Sequence, residues 1–242
     1  MMTEMMFGLR RSARTLLERD GYPGPGPGRL GLVMARAGVG KTAFLVGIGL
    51  DALLAGQNVL HISLQSSVDK ARSWYDDLLT ELLRRERKLE HKAEIQLAIE
   101  RQRHIHTYVG RAFTPERLRQ AVELLRDVVG FVPGVIIFDQ PDLASVERST
   151  VEALRSTAAE LGAELWMACR THRDGPQAAP GHLPPPADRV EDLGDLAFRL
   201  DAQKSKVRLR VVKDREHVLD HDLNVVLDPE TLLLVTGVTP RR

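Results

Sequence analysis

From Leu30 onward the chain alternates short, nearly all-apolar runs with longer amphipathic ones. LGLVMA (closing at Ala35), NVLHISL (58–64), IHTYV (105–109), GVIIFD (134–139) and AELWMAC (163–169) are each too short for a helix. Apolar runs of this length predict strands buried on both faces. Between them lie helical patterns. Residues 41–55 form one, with Gly56 just past its end. A second opens at Ser66 or Ser67, sets Val68, Ala71, Trp74, Leu78 and Leu82 at helical spacing, and breaks around Lys88–His91. A third starts at Thr114-Pro115-Glu116 and runs to about Val129, before Gly130. A fourth opens on Ser149-Thr-Val-Glu152, which has capping-box form, and ends near Gly162. A Pro/Gly-rich loop (174–188) follows, and the pattern then changes to strands alone: LAFRLDA, VRLRVVK, DLNVVLD and TLLLV, with a tight turn at Asp228-Pro229-Glu230. The prediction is an α/β three-layer core on a mostly parallel sheet, with a C-terminal antiparallel extension.

The beginning of the chain differs. Residues 9–19 read as a short basic helix with Leu9, Ala13, Leu16 and Leu17 on one side, and GYPGPGPGR can hold neither helix nor central strand. Residues 1–28 are therefore a helix and Pro/Gly connector, and 29–242 the main domain. There is no internal repeat.

Composition narrows the function only a little. A net charge of +1 argues against a dedicated nucleic-acid binder, although a local basic patch stays open. The single cysteine, Cys169, excludes an intrachain disulfide and suits a cytoplasmic protein; its apolar surroundings predict an inert buried thiol. No apolar run is long enough for membrane insertion, and MMTEMMFGLRR makes a poor signal peptide.

The chemistry sits in ARAGVGKT, Ala35 to Thr42. It fits the P-loop pattern with Ala in place of the first Gly, and it follows a predicted strand and opens a predicted helix. Gly38 and Gly40 allow backbone geometry that aims N–H groups at phosphate oxygens, and the helix N-terminus adds a favourable dipole. Ala37, Gly38, Val39, Gly40, Lys41, Thr42 and Ala43 are the candidate nucleotide-binding residues. Lys41 is placed to reach β- and γ-phosphates, and Thr42 to bind Mg²⁺. Asp139, at the end of an apolar strand well downstream, is the candidate second Mg²⁺ anchor.

Four segments together resemble the RecA-like P-loop ATPases, most closely the branch containing DnaB-type replicative helicases and KaiC-type clock and signalling ATPases. They are ARAGVGKT; NVLHISL leading into a polar turn and a helix with Trp74 and Tyr75; VIIFD; and VVKDRE. The resemblance spans roughly residues 29 to 236. It implies a RecA-like core, Mg-ATP as cofactor, ATPase activity, and a homo-oligomeric ring or filament with nucleotide at subunit interfaces. It also implies that Lys213 and Arg215 reach the γ-phosphate held by a neighbouring subunit, where cationic side chains stabilise phosphoryl transfer. Arg170, Thr171 and His172 stand where this fold places a phosphate-sensing residue.

The family's catalytic glutamate closes the strand after the P-loop helix, and here that position is Gln65. Related ATPases carry it directly after the Walker B aspartate, and here that is Gln140. An amide can orient water but cannot accept a proton at neutral pH. Three explanations remain open: slow hydrolysis with ATP as an assembly switch, another carboxylate such as Asp142, or an engineered Glu→Gln trap. The first functional expectation is an ATP-dependent switch or ATPase acting on an unidentified protein partner. The alternatives are a single-stranded nucleic-acid motor and a non-hydrolysing scaffold. The stretch from Asp174 to Asp188 lacks Lys and Arg, which weighs against a loop that grips nucleic acid. Arg84–Lys88 reads as a solvated face, Asp192, Asp195 and Asp201 as turn or surface acids, and His104/His106 and His217/His221 lack the further ligands a zinc site needs.

Overall fold

The computed structural model describes residues 13–108, 112–172, 178–203 and 206–237. Leu9, Val109 and the first part of the Pro-rich loop, all named above, lie outside the described residues. The strands are β1 (Leu30–Ala35), β2 (Val59–Ser63), β3 (Arg103–Thr107), β4 (Val135–Asp139), β5 (Glu164–Arg170), β6 (Gly194–Gln203), β7 (Lys206–Asp214), β8 (His217–Leu227) and β9 (Leu234–Thr236). They form one nine-stranded sheet in the order β3-β2-β4-β5-β1-β6-β7-β8-β9. The first six strands in that order are parallel, and β6 to β9 are antiparallel. The fold is thus α/β on a mostly parallel mixed sheet with an antiparallel C-terminal part.

Helices cover both faces. On one side lie α1 (Ala13–Arg19), α2 (Lys41–Leu54), α3 (Val68–Glu86) and α4 (Lys92–Glu100). On the other lie α5 (Pro115–Leu124), continued by a π turn (Leu125–Val129), and α6 (Arg148–Leu161). Burial on both faces explains why β1, β2 and β4 carry no exposed position. α1 is part of this core: Leu16 and Leu17 pack into it, the Arg14 guanidinium pairs with Glu164, and the Arg14 N–H bonds Asp51.

Several expectations need correction. LAFRLDA was expected to begin the antiparallel set, but β6 runs parallel to β1 and only its other edge pairs antiparallel, with β7. The connection after β5 brings the chain back to the starting end of β1, and strand direction leaves no mark in an alternating pattern. The fourth predicted helix begins at Arg148 with Glu147 at its N-cap; Ser149 is already helical and its hydroxyl donates to Glu147 instead of capping. The third strand starts earlier, at Arg103, because that side chain is buried against the Tyr75 ring, with its guanidinium carbon 4.8 Å from the centroid. Asp195 is no surface acid: it accepts from the Leu30 N–H at 3.0 Å and pairs with Arg155. Ser67 caps α3, with its hydroxyl accepting from the Lys70 N–H.

Gly31 shows how tightly the central strand is packed. A Cβ there would sit 2.6 Å from Cε3 of Trp166, which is fully buried and stacks on Phe198. Gly31→Ala is expected to cost about 1–3 kcal/mol, since overpacking forces the ring and strand apart. Urea unfolding followed by circular dichroism measures this.

Candidate functional site

The residues from Arg36 to Gly40 turn the chain from the end of β1 into α2. Gly38 and Gly40 both have positive φ, 75° and 116°, a region closed to most side chains. At Gly40 a Cβ would also meet Leu227 Cδ2 at 2.3 Å, so the loop lies against the end of β8. Gly40 is the N-cap of α2 and offers no side chain to the first turn, whose N–H groups are left for an anion.

This loop forms one wall of a cleft of about 600 Å³. Gly38, Gly40, Lys41, Thr42 and Ala43 line it, together with Gln65, Asp139 and Gln140. The Lys41 ammonium donates to the carbonyls of Ala35 and Arg36, both at 2.9 Å. Burial lowers its pKa from the ordinary lysine value, against the opposing pull of Cys169 and Asp139. The Thr42 hydroxyl donates to Asp139 at 3.0 Å, joining residues 97 positions apart. Burial pushes the Asp139 carboxyl up to about 6; the Thr42 hydroxyl, the Gln140 N–H and Lys41 oppose the rise without cancelling it. Cys169 is buried and its thiol is pushed up to about 12, so it is inert, as its apolar context predicts.

The two glutamines meet. Gln140 takes a left-handed conformation, φ 62°, directly after Asp139. Its side-chain oxygen accepts from the hydroxyls of Ser63, at 3.3 Å, and Ser66, at 3.0 Å. The Gln65 amide donates to the Gln140 carbonyl at 3.0 Å. Gln140 is therefore tied to the end of β2, whereas exposed Gln65 donates, among the described residues, to the Gln140 backbone alone and stands at the cleft wall. Asp142 also lines the cleft, but its carboxylate closes a local turn, accepting from the Ala144 N–H at 3.3 Å and the Ser145 hydroxyl at 2.9 Å. Arg170 and His172 reach the cleft as well. Thr171 does not; it lines an adjoining hollow with Arg36 and Val39.

Lys213 and Arg215 stand elsewhere. Leu196 pairs with Asp214 while Leu30 pairs with Gly194, which puts the β7–β8 turn level with the start of β1. The Gly-rich loop is at the other end of β1, about 20 Å away at the usual strand rise. Lys213 is buried and its ammonium donates to the Arg215 carbonyl, whereas the Arg215 side chain is exposed. Neither can serve this chain's own cleft.

Sequence reasoning missed Ser63 and Ser66 as the struts that set Gln140, and Leu232 as part of the wall. Ser63 closes an apolar strand, and Ser66 resembles any helix cap. Leu232 arrives from the C-terminal turn, and no linear pattern connects it to Lys41.

No protein-family model matches the chain, and no curated protein matches it. Among the described residues no helix is long and apolar enough to cross a membrane.

The raised pKa of Asp139 has a thermodynamic consequence. The folded state binds this proton more readily than the unfolded chain does. Its carboxylate therefore costs stability above about pH 6, and the cost fades as pH falls toward 3.8, the ordinary value. Asp139→Asn is expected to raise the stability of the ligand-free protein at pH 8 by about 1–3 kcal/mol. The gain over the parent protein shrinks toward pH 4. Urea titrations at the two pH values check both the sign and the window.

Proposed function

We propose that this chain binds ATP with Mg²⁺ as a RecA-like P-loop protein. In this reading it is a homo-oligomer that uses the nucleotide to switch assembly or to remodel a protein partner. The observation that carries the proposal is the Thr42 hydroxyl at 3.0 Å from the Asp139 carboxylate, at the mouth of a Gly-rich turn that opens a helix.

The residues present suit such a ligand. Lys41 would exchange the carbonyls of Ala35 and Arg36 for β- and γ-phosphate oxygens, and the first-turn N–H groups of α2 would take the others. Thr42 and Asp139 are hard oxygen donors suited to Mg²⁺, which commonly takes only one or two protein carboxylates and completes its shell with phosphate and water. Among the described residues no group of three or more His, Cys, Asp or Glu side chains gathers into a metal site. When bound, the ion neutralises phosphate charge.

Gln65 is the residue proposed to orient the attacking water. Gln140 is excluded from that role by its two serine contacts. Because an amide accepts no proton, turnover should be slow. Exposed Arg215, at the far end of the sheet, would act on a neighbour's nucleotide, with Lys213 bracing its backbone.

Calorimetric titration with Mg-ATP tests the reading. The parent chain should bind, and Lys41→Ala should lose about 30-fold or more, the usual worth of charge-assisted hydrogen bonds. No binding by the parent chain at millimolar ATP would end it. Turnover assays separate the glutamines. Gln65→Glu is expected to raise the rate about 100-fold, within the usual range for a positioned general base, and Gln140→Glu to leave it unchanged.

A further inference from the structure

A second hollow lies at the outer edge of the sheet and shares no lining residue with the cleft. Its volume is about 250 Å³. Val68 and Arg72 of α3, Glu100 at the end of α4, and Arg103, His104 and Ile105 of β3 line it. β3 is the last strand on this side of the sheet.

Arg103 is the unusual member. Only 8% of it is exposed. Its guanidinium lies over the ring of Tyr75, which is fixed in turn by its hydroxyl, 3.1 Å from Nδ1 of buried His61. The Arg103 Nη1 is buried and has no hydrogen-bond partner among the described residues. Burial lowers the Arg103 pKa from the ordinary guanidinium value, against the opposing pull of Tyr75, Asp76 and Glu100. A guanidinium nevertheless keeps its charge in a protein. The charge is thus present, buried and short of an acceptor, which is costly until something supplies one. Asp76 does not, since its own Oδ1 is buried without a partner among the described residues. Glu100 is already paired with Arg72.

We infer that this hollow binds a small organic carboxylate, with Arg103 and Arg72 as the two guanidinium groups that take its oxygens. A planar carboxylate matches the fork of a guanidinium, and the Tyr75 ring orients Arg103 in advance. Arg72 is exposed, so sharing Glu100 with a ligand costs it little. Val68 and Ile105 give the hollow apolar sides, which suit a hydrocarbon body. The volume is below that of pockets for drug-sized ligands, so the body is limited to a few carbons. Glu100 on the wall and Asp76 nearby disfavour a doubly charged phosphate and leave a singly charged head as the better fit. The inference is independent of the nucleotide reading, because no residue of the cleft takes part.

Butyrate is the probe. Sodium chloride at equal ionic strength is the reference, and inorganic phosphate is the competing head group. Lys41→Ala removes the lysine of the Gly-rich loop, so that anions seated there are told apart from anions in the hollow. Ligand-observed NMR should show butyrate binding with a millimolar Kd, equally in the parent protein and in Lys41→Ala. Arg103→Met should abolish this binding. It should also leave the ligand-free protein at least as stable in urea, because an apolar chain of similar length replaces a buried, incompletely bonded charge. Arg103→Lys, which keeps the charge and loses the fork, should weaken binding about tenfold, and Arg72→Met should weaken it several-fold. Phosphate should bind Lys41→Ala more weakly than butyrate does. The inference is overturned if the parent binds no butyrate beyond the chloride reference, if binding disappears in Lys41→Ala, or if it persists in Arg103→Met. It is also overturned if phosphate binds Lys41→Ala as tightly as butyrate. Should Arg103→Met fail to fold, Arg103→Lys and Arg72→Met decide, and a parent-like Kd in both overturns the inference.

Discussion

A carboxylate buried at the end of an apolar strand must be held by donors, and much of the site is arranged around that need at Asp139. Without partners, a charged group in this position would be neutralised or the strand would not stay packed. Thr42 supplies a hydroxyl from the first turn of α2, Gln140 supplies a backbone N–H, and Lys41 adds a nearby positive charge. These contacts tie the Gly-rich loop on β1 to β4, two strands away in the sheet. Burial still dominates, and the carboxyl remains poised near 6. A carboxylate that burial disfavours in this way gains from a cation, so the stability lost in the ligand-free protein and the proposed affinity for a magnesium–phosphate ligand share one origin.

A second polar unit sits beside the first. Ser63, Ser66, Gln65 and Gln140 bond across the adjacent ends of β2 and β4, which pair in parallel with Ser63 opposite Asp139. The register puts both glutamines at the same cleft, and the serine contacts divide their roles. Gln140 is a strut whose left-handed backbone turns the chain away from Asp139, and Gln65 is the amide at the wall. Two positions that look equivalent along the chain thus differ in freedom once the hydroxyls around them are placed.

The remainder of the fold keeps these strand ends in place. Apolar residues on both faces of β1, β2 and β4 bury against two helical layers, and α1 closes one of them through Leu16, Leu17 and the Arg14–Glu164 pair. The antiparallel part contributes at both ends. Leu227 and Leu232 reach the Gly-rich loop and the cleft, while Lys213 and Arg215 lie at the opposite edge. One extension therefore completes a wall of this chain's own site and presents the Lys213–Arg215 turn away from it.

Local chemistry made much of this legible in the sequence. Apolar runs marked the core strands, because strands covered on both faces tolerate no polar alternation. The glycines of ARAGVGKT, the Thr114-Pro115 start of α5 and Ser67 at the cap of α3 have meanings that depend only on near neighbours. Asp139 stood out because a carboxylate closing VIIFD is costly unless it is used. Other features depended on contacts between distant segments, which a linear pattern does not record. They include the parallel entry of β6, Glu147 in place of Ser149 as the start of α6, the serine ties on Gln140, the structural use of Asp195, and the arrival of Leu232 beside Lys41. The strands, the Gly-rich loop and the available chemistry follow from runs of neighbouring residues. Which distant side chains share the cleft depends on the folded sheet, because it follows from strand order and register across tens of residues.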